Sequence, residues 1–182
     1  MNRTRCHWCN LNNPAYIAYH DFEWGCAQHN DHMLFELLVL ESFQAGLSWE
    51  IVLNKRESFR AAFDGFDPVL VRDYDEVKVR SLIENAGIIR NRGKINAAIH
   101  NAAIFIDIQK EWGSFNSYIW HFTEGKTIYE TGKTRSSLSD MVSADLKRRG
   151  MKFVGTTIIY SYLQAIGVIY SHNKNCMLYR SE

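Results

Sequence analysis

Apolar residues along this chain recur at helical spacing, and strand-like alternation is weak throughout. From Asp31, read as a capping aspartate, Met33, Leu34, Leu37, Leu38 and the acid Glu41 form a nearly all-round apolar run, which predicts a buried helix. Gly46 is placed to end it. Ser48 can cap the next helix, which carries Ile51, Val52, Phe59 and Phe63. Asp67-Pro68 reads as a cap followed by proline at the first helical position. Asp75 opens a further helix through Val77, Leu82 and Ile83. After Gly93, the residues Ile95, Ile99, Ala102 and Ile106 mark a long amphipathic helix. Glu124 to Asp140 is less regular and precedes a helix that stops at Gly150. The last helix runs from near Thr156 to about Gly167. No repeat, low-complexity tract or linker breaks the pattern, and prolines number only 2. The expectation is an all-α fold in a single domain spanning residues 1–182.

Composition narrows this picture. A length of 182 residues with 46% hydrophobic content suffices for one domain with a sizeable core. The 21 basic and 20 acidic side chains leave a formal charge of +1, so a globally basic nucleic-acid binder is excluded. Local basic patches exist. Arg90, Arg92 and Lys94 lie in a stretch with no acid between Glu84 and Asp107, and Lys147, Arg148, Arg149 and Lys152 form a second cluster. Solvated helix ends are the plainer explanation of both. The 4 cysteines, Cys6, Cys9, Cys26 and Cys176, could pair as disulfides in a secreted protein. The opening Met1 to Cys9 lacks the apolar run of a signal peptide, and the stretch Ile158 to Tyr170 is too short to span a bilayer. A reducing cytoplasm without membrane attachment is expected, with thiols free to bind metal.

Three groups of residues carry candidate chemistry. Cys6 with His20 and His172 with Cys176 each supply half of a tetrahedral Cys₂His₂ site. Cys6-x-x-Cys9 is itself a ligand pattern, and His7 is another possible donor. Four protein ligands leave no open position for water, so such a site would be structural. The segment Asn85 to Ile95 joins two helical patterns through a short turn. Gly87 can take positive φ where the first helix stops, and Gly93 lets the chain turn into the next. Helix N-terminal N–H groups with Arg92 and Lys94 would then hold a backbone phosphate, although an ordinary hairpin has the same outline. Lastly, Glu41 sits late in the apolar helix, where an ionised carboxylate is costly unless it finds donors. Pairing with a nearby arginine or lysine is one explanation. The other is a polar anchor in an aromatic pocket walled by Trp8, Tyr16, Tyr19 and Trp49. An acid among stacked rings suits a flat cationic ligand with N–H donors, such as an alkylated purine.

The blocks Cys6-His-Trp8, Tyr16 to Asp21, Glu23-Trp-Gly25, Leu40 to Trp49, Ala86 to Arg90 with Arg92 to Ile95, and Lys152 to Thr157 together resemble the bacterial 3-methyladenine DNA glycosylase I family. The resemblance runs in one order from Cys6 to Cys176 and is weakest from Glu124 to Asp140. It implies a helix-hairpin-helix DNA glycosylase fold, with the motif at about residues 75–110 and the termini, about 1–25 and 157–182, joined by one structural zinc. The implied ligands are Cys6, His20, His172 and Cys176. The implied base pocket is Glu41 with Tyr16, Trp49, Trp8 and Tyr19, and the implied DNA-backbone contacts are Gly87, Arg90, Arg92, Gly93 and Lys94.

The implied reaction is removal of 3-methyladenine from alkylated double-stranded DNA, by hydrolysis of the N-glycosidic bond in a bacterial cytoplasm. Free 3-methyladenine is the product, and the expected state is a monomer. Asp107 and Glu111 read as an exposed face, and no catalytic aspartate is expected there. The rival readings are a zinc-stabilised DNA-binding module without catalysis and a zinc hydrolase using His20 or His172.

Overall fold

The computed structural model describes residues 4–181. Asn13 accepts hydrogen bonds from the backbone N–H groups of Ala15 and Tyr16, and Pro14 follows it, so helix α1 forms over Pro14–Phe22. Helix α2 covers Asp31–Gln44, but Asn30 caps it by accepting from the Met33 N–H. Asp31, the expected cap, is the first helical residue. Its carboxylate accepts instead from the N–H groups of Phe115 and Asn116 and from Gln109 Nε2. It thereby serves the start of a helix more than eighty residues away. The single helix expected after Ser48 divides at Lys55 into α3, Trp49–Asn54, and α4, Arg56–Ala62. Ser48 occupies the cap position without making a side-chain cap bond.

Local signals placed the next elements well. Asp67 accepts from the Val69 N–H and Pro68 begins α5, Pro68–Arg72. Asp75 caps α6, Glu76–Glu84, by accepting from Lys78 N–H. Helix α7, Arg92–Trp112, is followed by α8, Phe115–His121. The irregular stretch holds β1, Ile128–Tyr129, which pairs in parallel with β2, Ile169–Tyr170. Between them lie α9, Ser137–Arg148, and α10, Thr156–Ala165. Among the described residues this short parallel pair is the only sheet, and the chain is mostly helical. No helix there is long and apolar enough to cross a membrane.

The core gathers around α7, which packs against α5, α8, α2 and α6. Its Ile95, Ala98, Ala102, Phe105 and Ile108 are buried, and Phe105 stacks on Phe115 with ring centroids 4.1 Å apart. A second aromatic cluster of Phe43, Phe59, Phe63 and Phe66 closes the space beneath α4. At Gly167, with φ +73°, a Cβ would fall 2.4 Å from the carbonyl carbon of Cys26. Only glycine permits β2 to start so close to the loop after α1.

The hairpin differs from its expected construction in three ways. Gly87 is not at positive φ; its lack of a side chain matters because a Cβ would lie 2.9 Å from Asn85 Oδ1 and 3.1 Å from Ser58 Cβ. Gly93 lies inside the first turn of α7 and not before it, because Asn91 is the cap and accepts from the Lys94 N–H. Lys94, expected to face a phosphate, is buried. Its Nζ donates to the carbonyls of Phe43 and Ala45, 2.9 and 2.6 Å away, and so completes the otherwise unpaired C-terminal end of α2. Burial lowers its pKa from the usual lysine value. Arg92 is exposed and pairs with Glu76, while Arg90 is exposed.

Lys94→Met should therefore lower the thermal midpoint, at a cost of about 2 kcal/mol for the charge-assisted bonds removed. An unaltered midpoint in thermal denaturation would contradict the capping role.

Candidate functional site

The two ends of the chain meet at a buried Cys-His cluster. Ligand atoms from Cys6, His20, His172 and Cys176 lie within 4.8 Å of one another. Cys6 Sγ is 3.5 Å from His172 Nδ1, and Cys176 Sγ is 3.4 Å from His20 Nε2 and 3.5 Å from His172 Nδ1. A tetrahedron with metal–sulfur and metal–nitrogen bonds of about 2.3 and about 2.0 Å has sulfur–nitrogen edges of roughly 3.5 Å. The donor set therefore fits a small tetrahedral ion. Each histidine has its second nitrogen engaged, His20 Nδ1 with Asp21 at 2.8 Å and His172 Nε2 with the Trp24 carbonyl at 3.3 Å. Such partners fix the tautomer that points the free lone pair inward. Arg5 pairs in turn with Asp21, holding its carboxyl at about 2. Backbone N–H groups of Asn173 and Leu178 point at the sulfurs of Cys6 and Cys176.

Burial pushes the Cys6 thiol up to about 12 and His172 down to about 4, which favours the neutral form of these two groups. Cys9, a possible alternative ligand, bonds instead to the Tyr16 carbonyl. His7 turns to Asn173. Cys26 is exposed and lies outside the cluster.

A cleft of about 410 Å³ lies beside this cluster. All the sequence-nominated aromatic residues line it: Trp8, Tyr16, Tyr19 and Trp49. Trp8 stands 5.4 Å from Tyr16 by ring centroids, and Tyr19 stands 5.2 Å from Trp49. Trp24, absent from that nominated set, joins the wall and packs edge-on against Trp8 at 4.7 Å. The wall and the metal cluster share contacts, since Trp8 lies 5.2 Å from His20 and Trp24 lies 4.7 Å from His172. Whatever holds the termini together also holds the rings.

Glu41 reaches the cleft from α2 and is 3% exposed. Its Oε2 is buried with no hydrogen-bond partner, and burial alone raises its carboxyl to about 8. Helix α2 supplies an internal contrast. Glu36 is equally buried, but Arg56 and Arg60 reach it at 2.5 and 2.8 Å. Two acids on one apolar helix thus have opposite fates: one is neutralised by guanidinium groups, the other is left facing a cavity. The Trp49 indole N–H beside the cleft is also buried without an acceptor.

The remaining lining was invisible to periodicity. Gln44 lies one helical turn after Glu41, a spacing that could have nominated it. Ser161 and Gln164 come from α10, Ser171 and Asn173 follow it, and Gly132, Lys133 and Thr134 come from the irregular stretch. Asp107 and Glu111 pair on the surface with Lys110 and Arg149.

The model of the methyladenine glycosylase family matches residues 8–179. The chain is 46% identical to DNA-3-methyladenine glycosylase 1 of Escherichia coli (strain K12), covering 96% of each chain. Among solved structures, 3-methyladenine DNA glycosylase I superposes with a TM-score of 0.93 at 42% identity, covering 97% of this chain and 100% of the other. A variant of 3-methyladenine DNA glycosylase I in complex with 3-methyladenine superposes with a TM-score of 0.91 at 32% identity, covering 97% of each.

Glu41 should leave a signature in stability. Its carboxyl stands near 8 in the folded chain against an ordinary 4.5, so the folded state keeps a proton that the unfolded state has lost. Stability contributed by this group is complete below about 4.5 and falls as pH rises toward 8. Glu41→Gln should match the wild type at pH about 4 and exceed it progressively up to pH about 8, as read by urea denaturation across a pH series. A constant difference across that range would refute the raised pKa.

Proposed function

We infer what this chain does from its membership of a family: it belongs to the methyladenine glycosylase family. It is a DNA base-excision repair enzyme that removes 3-methyladenine from alkylated DNA by hydrolysing the N-glycosidic bond. The observation that carries this at the level of residues is Glu41, buried beside an aromatic cleft without a counter-charge.

Methylation at N3 makes the purine a cation while it is still attached to deoxyribose. The C1′–N9 bond breaks with its electron pair moving to the base, which leaves neutral. Water adds to C1′ and gives up a proton, leaving an abasic site. A cationic leaving group needs little acid assistance, so extraction and selective binding carry much of the work. Swinging the nucleotide out of the duplex costs a few kcal/mol, and least where pairing is already damaged.

Selectivity follows from the carboxyl held near 8. In the free protein at neutral pH the proton stays on Glu41. An incoming purinium makes ionisation favourable, and the carboxylate then accepts hydrogen bonds from a cation in a dry site, where such bonds are strongest. Neutral adenine offers no such compensation. Tyr16, Trp8, Tyr19 and Trp49 stack on or flank the ring and add cation–π attraction. Loss of charge on cleavage weakens the hold and favours release of the base.

The Cys-His cluster would hold one zinc ion through Cys6, His20, His172 and Cys176. With every position filled by protein, its contribution is to fasten the termini together and not to activate water. The chain then acts as one domain, with a helix-hairpin-helix unit at about residues 75–110. Its exposed Arg90 and Arg92, with the turn through Gly87 and Gly93, would follow the DNA backbone, while Lys94 drops out because its ammonium is spent inside the fold. The rival module without catalysis would leave Glu41 and its cleft without a purpose. A zinc hydrolase would need a vacant coordination position that the four donors do not leave.

Incubation with methylated duplex DNA should release 3-methyladenine, identified by chromatography of the freed bases; release of none would overturn the assignment. Glu41→Gln should lower that excision roughly 10- to 100-fold, the worth of one charge-assisted hydrogen bond, while the circular dichroism spectrum stays unchanged. Unimpaired excision would remove Glu41 from the site. Cys176→Ser should lose bound zinc, measured by atomic absorption, and lower the thermal midpoint, because metal binding and folding are coupled. A zinc-free variant as stable as the wild type would show that these residues hold no structural ion.

A further inference from the structure

The cleft that Glu41 faces also receives a lysine. Lys133, from the segment between β1 and α9, lines it together with Gly132 and Thr134. A second cation is out of place in a site that selects a cationic base, because like charges repel and the base would lose part of what Glu41 supplies. The conflict disappears if the cleft admits more than the base. A volume of about 410 Å³ exceeds the space one purine ring fills, and a flipped nucleotide carries an anionic phosphate beside its cationic ring.

The ammonium of Lys133 is about half exposed and is held by Glu130, whose carboxylate is largely buried. Glu130 Oε1 and the Tyr160 hydroxyl are both buried nearby, and Ser171 and Ser161 line the cleft. The lining draws on separate parts of the chain. Glu41 and Gln44 come from α2 and Tyr16, Tyr19 and Trp49 from α1 and α3, while Lys133 and Thr134 come from the segment after β1 and Ser161 and Gln164 from α10. A carboxyl for a cation and an ammonium for an anion match the charge distribution of an N3-alkylated nucleotide.

We propose that Lys133, with the Thr134 hydroxyl beside it, is a phosphate-positioning residue that holds a backbone phosphate next to the flipped 3-methyladenine nucleotide. The inference rests on the base-excision reading. Glu130 pairs with the Lys133 ammonium, and the phosphate takes over from this partly exposed pair, which is individually weak. Anchoring the phosphate limits how the extruded sugar can lie relative to Glu41 and the rings.

The test compares Lys133→Gln, which keeps a donor for Glu130 but no charge, with Lys133→Arg. Two titrations are read: free 3-methyladenine by tryptophan fluorescence, and a duplex containing a tetrahydrofuran abasic analogue across a salt series. Lys133→Gln should bind the free base as the wild type does. It should bind the duplex several-fold more weakly and flatten the slope of log K against log salt by about one ion, with Lys133→Arg restoring both. An unchanged salt slope in Lys133→Gln, or an equal loss of free-base binding, would overturn the proposal. Failure of the excision reading is distinguishable, because there the wild type itself would release no base while the salt slope still responded to the substitution.

Discussion

A carboxyl buried without a donor is unfavourable in either protonation state, and Glu41 is such a group. Burial raises its pKa to about 8 with no opposing contribution. Five residues earlier on the same helix, Glu36 has the identical problem solved by Arg56 and Arg60. The fold thus has the means to neutralise an acid on α2 and does not apply it to Glu41. The unresolved cost is stored where a cation of suitable shape can relieve it, and the proposed discrimination between alkylated and normal adenine rests on that difference. A site made complementary to neutral adenine would instead bind the enormous excess of undamaged base.

That arrangement needs walls that do not yield, and those walls come from the beginning of the chain. Trp8 and Trp24 touch the histidines of the Cys-His cluster, so the rings facing Glu41 are braced by the junction of the termini. The Met177 N–H donates to the Thr4 carbonyl in the same region, and Gly167 lets β2 run close against Cys26. An N-terminal segment with little helical content cannot hold aromatic side chains in register by itself. An ion held by Cys6, His20, His172 and Cys176 would cross-link it to the C-terminal segment and supply stiffness without occupying the cleft.

How much of this was legible in the sequence depended on how far the deciding contact lay along the chain. Asp67-Pro68 and Asp75 were read correctly because a cap and the N–H it serves are only two or three residues apart. Asp31 was misread because Asn30 could cap as well, and Phe115 and Asn116 claimed the aspartate from across the fold. Lys94 looked like a surface charge in a basic run; the carbonyls of Phe43 and Ala45 that bury it are invisible to local pattern. Gly87 was recognised as significant for the wrong reason, since crowding and not positive φ calls for glycine there, and Gly93 lies inside the helix that it was expected to precede. The aromatic walls and metal donors were nominated from residue type and resemblance, and the structure brings both groups together. Glu36 escaped notice although its chemistry equals that of Glu41, since sequence alone does not show which acid meets an arginine. The polar half of the cleft stayed hidden, because α10 and the segment after β1 reach it only through tertiary packing.

The central claim concerns where one proton sits, and isotope-edited infrared spectroscopy of the Glu41 carboxyl reads it directly. With the side chain labelled, the protein free of ligand at pH about 7 should show the stretch of a protonated acid, replaced by carboxylate bands when a cationic N3-alkylated purine nucleoside binds. A carboxylate spectrum already present without ligand at that pH, unchanged on binding, would contradict the account.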